Sequence, residues 1–230
     1  MKLNTNSNIY TFVYMTVVVI IVAVLLALAN QSLKPRQEAN ILLDKQKQIL
    51  GALKVDFSQA DPAEVYYTLV QDTLKYGSAS EHSEPVEVYV ANLNGAVKYI
   101  LPLSGKGLWG GIGGYLALDE DKNTIYGVNF NHESETPGLG AKIVEPEFRS
   151  QFEGKHIRNA EGAVVSVAVL KAGKHAEGQE QVDAISGATI TSSGVSTMLE
   201  VNLGEYAEFL NQESGVKNQD EIVEPIKEEE

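Results

Sequence analysis

Between Thr5 and Leu33 the chain carries no charged residue, and within that stretch Ile9 to Ala29 (IYTFVYMTVVVIIVAVLLALA) is apolar almost throughout its 21 residues. At about 1.5 Å per residue a helix of that length matches the ~30 Å hydrocarbon core of a bilayer. A transmembrane helix at 9–29, behind a short segment at 1–8 and held by membrane lipid, is the expectation. The competing reading is a cleaved signal peptide, which Ala27-Leu28-Ala29 would suit. Against it, the apolar run exceeds the roughly 7 to 15 residues of a signal core, and only Lys2 precedes it. Tyr10 and Tyr14 suit a membrane interface. Thr11 and Thr16 suit hydroxyl bonds back to helix carbonyls, and without an acid or base the span offers no ion pathway of its own. Lys34, Arg36, Lys45 and Lys47 follow the span, so the positive-inside rule favours a cytoplasmic position for what comes next.

The rest of the 230 residues suffices for one sizeable domain. Without cysteine there is no disulfide, thiolate zinc site, iron–sulfur cluster or thiol nucleophile. A net charge of −13 argues against nucleic acid as a partner. Residues 212–230 hold seven acids and two lysines, −5 of that total, and read as an acidic, disordered tail, the alternative being a partner-binding arm.

Between anchor and tail the pattern predicts an α+β domain at 36–211, an antiparallel sheet with flanking helices. Glu38 to Leu53 has a loose helical stripe, and Asp61-Pro62-Ala63-Glu64 is a helix start leading into Val65 to Leu74. Val86 to Ala91 and Ala96 to Leu101 flank Asn94-Gly95 as a hairpin; Tyr115 to Leu118 and Thr124 to Phe130 form a second. Val164 to Leu170 suits an interior strand, and Ser192 to Leu210 an amphipathic helix.

Nine of the 20 glycines fall between Gly105 and Gly140, around two loops. The first, Ser104-Gly105-Lys106-Gly107-Leu108-Trp109-Gly110-Gly111, holds the only tryptophan, which either faces a flat ring or anchors the core. The second, Glu135-Thr136-Pro137-Gly138-Leu139-Gly140, is a type II turn by its Pro-Gly pair, with an acid and a hydroxyl suited to the polar edge of a heterocycle. A third segment, Asp183 to Ser193, places five hydroxyls in the eight residues from Ser186 before the final helix, where unsatisfied amides favour an anion. Any single hydroxyl there is accounted for as an N-cap, but five exceed that need. No Walker lysine, GxGxxG before a βαβ helix, GxSxG or HExxH spacing occurs, so hydrolysis and zinc chemistry are not indicated.

Ser186-Gly187-Ala188-Thr189-Ile190-Thr191 resembles the flavinylation motif (S/T)GAT-x-(S/T) of the FMN-binding domain family. With SGKGLW and ETPGLG the likeness is to the C subunits of Na+-translocating NADH:quinone oxidoreductases, over about residues 9–210. The G subunits of Rnf complexes share the first and last motifs and resemble SGKGLW less. The resemblance implies one FMN per chain, joined through a phosphoester to Thr191, with Thr189, Ser186, Gly187 and Ala188 around the phosphate and Asp183 either organising the motif during transfer or holding the loop afterwards. It also implies Leu108 and Trp109 beside the flavin ring, with Glu135, Thr136 and Leu139 at its edge or face. Lys171 or Lys174 would supply a nearby charge. In that family a separate flavin transferase with FAD as donor makes the bond, so the domain needs no base of its own. The implied setting is the bacterial inner membrane, with the flavin domain periplasmic, against the lysine count. NADH oxidation, quinone reduction and sodium passage would belong to other subunits of the complex. The alternative from another class is a non-redox, membrane-anchored assembly module.

Overall fold

The computed structural model describes residues 7–76, 85–171 and 173–212; the acidic tail expected at 212–230 lies outside it apart from Gln212. Contacts divide the chain into a unit of residues Met1–Gln46 and one of Lys47–Glu230.

Where the sequence suggests an anchor at 9–29 and a helical stripe from Glu38, one helix, α1, runs over Asn8–Ala52 with Pro35 inside it. Around that proline the Lys34 and Glu38 side chains stand 3.9 Å apart at i,i+4 spacing, and Ser32 Oγ donates to the Ala29 carbonyl at 3.0 Å. The proline removes one N–H from the ladder, a loss that an exposed helix face tolerates because water can serve the freed carbonyl. Thr16 Oγ1 donates to the Phe12 carbonyl at 2.8 Å, the back-bonding expected of it. The helix is long and apolar enough to cross a membrane.

The second unit is built on a five-stranded antiparallel meander, β1 (Val70–Tyr76), β2 (Val86–Leu93), β3 (Ala96–Lys106), β4 (Gly111–Leu118) and β5 (Ile125–His132), with neighbours in the sheet following neighbours in sequence. Asn94 and Gly95, at φ 54° and 87°, form the predicted tight turn between β2 and β3. Alternation gives the sheet two buried faces. Ile100 and Ala117 meet Ile49, Ala52 and Leu53 from the end of α1, while Leu101, Leu116 and Leu118 face the opposite cluster. That cluster is closed by α3 (Pro146–Arg149), which adds Phe148, and by α4 (Thr189–Glu205) and α5 (Ala207–Asn211), with Val195, Leu199, Leu203, Tyr206 and Leu210 on the inward face as the spacing predicts.

Two expected elements change. Helix α2 (Pro62–Leu69) begins as expected, with the Asp61 carboxylate accepting from the Ala63 amide, but it stops at Leu69. Val70 to Leu74 belong to β1, paired antiparallel with β2 and packed against the two clusters through half-buried Val70 and Leu74, and tertiary context overrides local propensity. The run Val164 to Leu170 yields only β6 (Ala168–Val169), parallel to β7 (Gln181–Val182). Ser166 at φ 68° interrupts it, the amides of Val165 and Ser166 both turn to the Ile157 carbonyl, and Val165 is left exposed.

The C-terminal end of α5 is closed by cations. Buried Lys122 donates to the carbonyls of Phe209 at 3.2 Å and Gln212 at 3.1 Å, its ammonium 4.3 Å from the Phe209 ring. Burial, then the nearby Arg158, pushes its pKa down. Lys122→Met should cost about 1–3 kcal/mol by orphaning those carbonyls, read as a lower urea midpoint.

Candidate functional site

The two glycine-rich loops and the hydroxyl segment converge because α4 lies tightly along the end of β3. Asn202 Oδ1 accepts from the Ser104 amide at 2.8 Å and its Nδ2 donates to the Ser104 carbonyl at 3.0 Å. At Gly105 an added Cβ would lie 2.7 Å from Met198 Cβ, and at Gly194 2.5 Å from the Lys106 carbonyl oxygen. The helix therefore brings its first turn to the loop after β3.

Helix α4 begins at Thr189, three residues before the sequence suggests, and its N-cap is Ala188 with no side-chain capping bond. Among the clustered hydroxyls, Ser192 Oγ accepts the Ile185 amide at 3.1 Å from inside the helix. The N-cap explanation for these hydroxyls therefore fails, and Thr191 stands in the first helical turn.

Thr191 is 1% exposed, and its hydroxyl donates to Glu135 Oε2 at 2.6 Å. Glu135 is itself 4% exposed, and its Oε1 accepts the Trp109 amide at 2.9 Å. Burial alone would raise the pKa of this carboxyl; the Thr191 hydroxyl and the amides of Trp109, Leu108 and Gly110 outweigh it and hold the group below its ordinary value. An anion held by backbone amides thus faces the hydroxyl singled out by the motif. Gly140 makes room for this pair, since a Cβ there would lie 2.2 Å from Glu135 Oε2 and 2.6 Å from Thr191 Oγ1.

Because the folded-state pKa of Glu135 is lowered, its contribution to stability is complete above the ordinary value of 4.5 and is lost as pH falls through the lowered value. Glu135→Gln should flatten this acid limb in urea midpoints measured against pH.

Around the buried pair lies an open apolar rim. Leu108, Trp109, Leu139 and Ile190 are 46%, 67%, 43% and 58% exposed. Trp109 is therefore no core anchor. The Pro137-Gly138 turn has the expected form, with Gly138 at φ 76° and the Leu139 amide on the Thr136 carbonyl at 3.1 Å; the Thr136 residue is exposed. A groove of 610 Å³ runs alongside, with Gly105, Lys106 and Gly107 on one wall and Thr189, Ile190 and Ser193 on the other.

The remaining expected site residues separate. Ser186 and Gly187 are exposed just before the helix, and Ala188 is buried beneath it. Glu135, expected at a ring edge, turns its carboxylate inward. Asp183 does not reach Thr191: its carboxylate takes the Ala176 amide at 2.6 Å and stands 3.3 Å from His175 Nδ1, which ties it to the 175–176 loop. Lys106 is the cation among the residues that line the groove; neither Lys171 nor Lys174 lines it. Sequence reasoning also missed Asn202, whose signal was a polar residue beside Leu199 and Leu203 on the inward face of an amphipathic helix.

Residues 107–203 match a family described as the FMN-binding domain. The C subunit of the Na(+)-translocating NADH-quinone reductase of Pseudomonas aeruginosa is 31% identical over 88% of this chain and 94% of its own. That of Vibrio alginolyticus is 30% identical over 79% of this chain and 84% of its own. The crystal structure of the corresponding protein from Parabacteroides distasonis superposes with a TM-score of 0.71 at 40% identity, covering 78% of this chain and 98% of that one. Shewanella oneidensis NqrC gives 0.63 at 25% identity, covering 74% and 95%.

Proposed function

The chain belongs to the family of C subunits of Na(+)-translocating NADH-quinone reductases, and on that basis we propose that it is an electron-transfer component of such a membrane complex with one FMN joined through phosphate to Thr191. The carrying observation is the position of Thr191: its hydroxyl lies in the first turn of α4, where SGKGLW, ETPGLG and SGATIT meet.

The residues present fit such a group. The first amides of α4 lack intrahelical partners and, with the positive end of the helix dipole, suit the phosphate; Thr189 and Ser186 are the exposed hydroxyls beside them. Leu108, Trp109 and Leu139 offer an apolar surface for a flat ring, with Thr136 at its margin and Lys106 in the neighbouring groove. Bound FMN supplies one- and two-electron chemistry, and the surrounding side chains set its potential. NADH oxidation, quinone reduction and ion movement fall to the other subunits. This chain's share is to hold a redox centre on a membrane anchor.

The attachment requires a separate flavin transferase with FAD as donor. We place the flavin domain in the periplasm of the bacterial inner membrane, with α1 crossing the lipid once. Asp183 acts at a distance, by holding the 175–176 loop that precedes the motif.

The test is mass spectrometry of the full chain produced with and without a flavin transferase. The transferase should add one FMN that survives denaturation and remains on the peptide containing Thr191. An unchanged mass, or FMN on another peptide, overturns the assignment.

A further inference from the structure

A domain modified by a separate enzyme needs no base of its own, yet the structure supplies one at the reacting atom. Glu135 Oε2 is 2.6 Å from Thr191 Oγ1 and accepts its hydroxyl proton in a hydrogen bond. Both residues are nearly fully buried, so the contact is shielded from water. We propose that Glu135 is a catalytic residue of this chain in its own modification, the base that takes the Thr191 proton as the flavin phosphate is attached. The proposal rests on Thr191 being the attachment residue.

The surroundings suit that role. Among the described residues no lysine, arginine or histidine forms an ion pair with Glu135; its charge is met by the Trp109 amide, with those of Leu108 and Gly110 nearby. It is therefore ionised; the same amides lower its affinity for a proton, so what it brings is its position at the Thr191 oxygen. Carboxylates held in this way are aimed by geometry, and proton removal by a positioned group accelerates such steps by about 10²- to 10⁴-fold. Gly140 keeps the line between the two oxygens clear.

The step balances without oxidant or reductant. The Thr191 oxygen attacks the flavin-side phosphorus of a flavin adenine dinucleotide; the Oγ–P bond forms and the bond to the bridging diphosphate oxygen breaks. AMP leaves with that oxygen, and the hydroxyl proton passes to Glu135. The product then sets a neutral carboxyl, rather than a second anion, beside the new phosphodiester, which avoids like-charge repulsion. Since Thr191 is 1% exposed, the step requires that the covering turns part for the donor.

The experiment measures the rate of FMN attachment to the purified full chain in detergent, with flavin transferase and FAD, by intact mass. Glu135→Gln keeps size and one acceptor but is not basic, and should be labelled about 10²- to 10⁴-fold more slowly, with a thermal midpoint that falls only by the stability its charge contributes. Glu135→Asp keeps the charge among the amides but withdraws it from Thr191, and should lose roughly 100-fold, as a displacement of about 1 Å costs. If Glu135→Gln proves unfolded, the Asp variant decides alone. A folded Gln variant labelled within a few-fold of wild type, or an Asp variant labelled at the wild-type rate, overturns the proposal. If the wild-type chain itself gains no FMN at Thr191, it is the attachment reading that fails, a result distinct from either.

Discussion

Thr191→Val should yield a chain with no covalent flavin under conditions that saturate the wild type, while Thr191→Ser should still be labelled. Valine matches threonine in shape and removes only the hydroxyl that donates to Glu135. It also leaves a buried carboxylate oxygen short of a donor, so stability should fall by about 1–3 kcal/mol. The loss of flavin would be complete, whereas the loss of stability is modest; intact mass and urea denaturation on one preparation separate the two. Ser150→Ala is the control, because that hydroxyl is exposed, bonds to the Glu147 carbonyl and lies outside the site. Label retained in Thr191→Val would show that another hydroxyl carries the phosphate.

Gly140→Ala should damage the site directly. Its Cβ would fall 2.2 Å from Glu135 Oε2 and 2.6 Å from Thr191 Oγ1, separations no side chain sustains. Either the carboxylate leaves its amides or the turn after β5 shifts. Overpacking of this kind costs about 1–3 kcal/mol, and the broken hydrogen bond adds about 1–3 kcal/mol more. We expect a clear fall in thermal midpoint together with loss of FMN attachment. Gly138→Ala, two residues earlier, meets open space and suffers only from its positive φ of 76°, so it should remain competent for labelling.

The hairpins and the final helix were legible because their signals are local: Asn94-Gly95 sets a turn, and Val195, Leu199 and Leu203 repeat along one helix face. Strand β1 was not, since Val70 to Leu74 reads equally well as helix until β2 lies beside it. The single helix through Pro35 was hidden for the opposite reason. A proline is a strong local signal, costing about 3 kcal/mol inside a helix, yet α1 carries Pro35 without ending there. At the site, the residues of the motif were visible in the sequence and their pairing was not. Nothing in the spacing of Glu135 and Thr191, 56 positions apart, indicates that one oxygen touches the other. That contact depends on Asn202 fastening α4 to β3 and on Gly105, Gly140 and Gly194 allowing backbones to close.

The sheet strands pair with their neighbours in sequence, so the meander can form early by short-range contacts. The clamp between Asn202 and Ser104 instead joins residues 98 apart, and only the last helix completes it. A chain still emerging from synthesis, or one that has misfolded, presents the threonine without its carboxylate. If the flavin is attached as proposed, attachment would double as inspection, since the cofactor would be committed only to molecules whose α4 has docked.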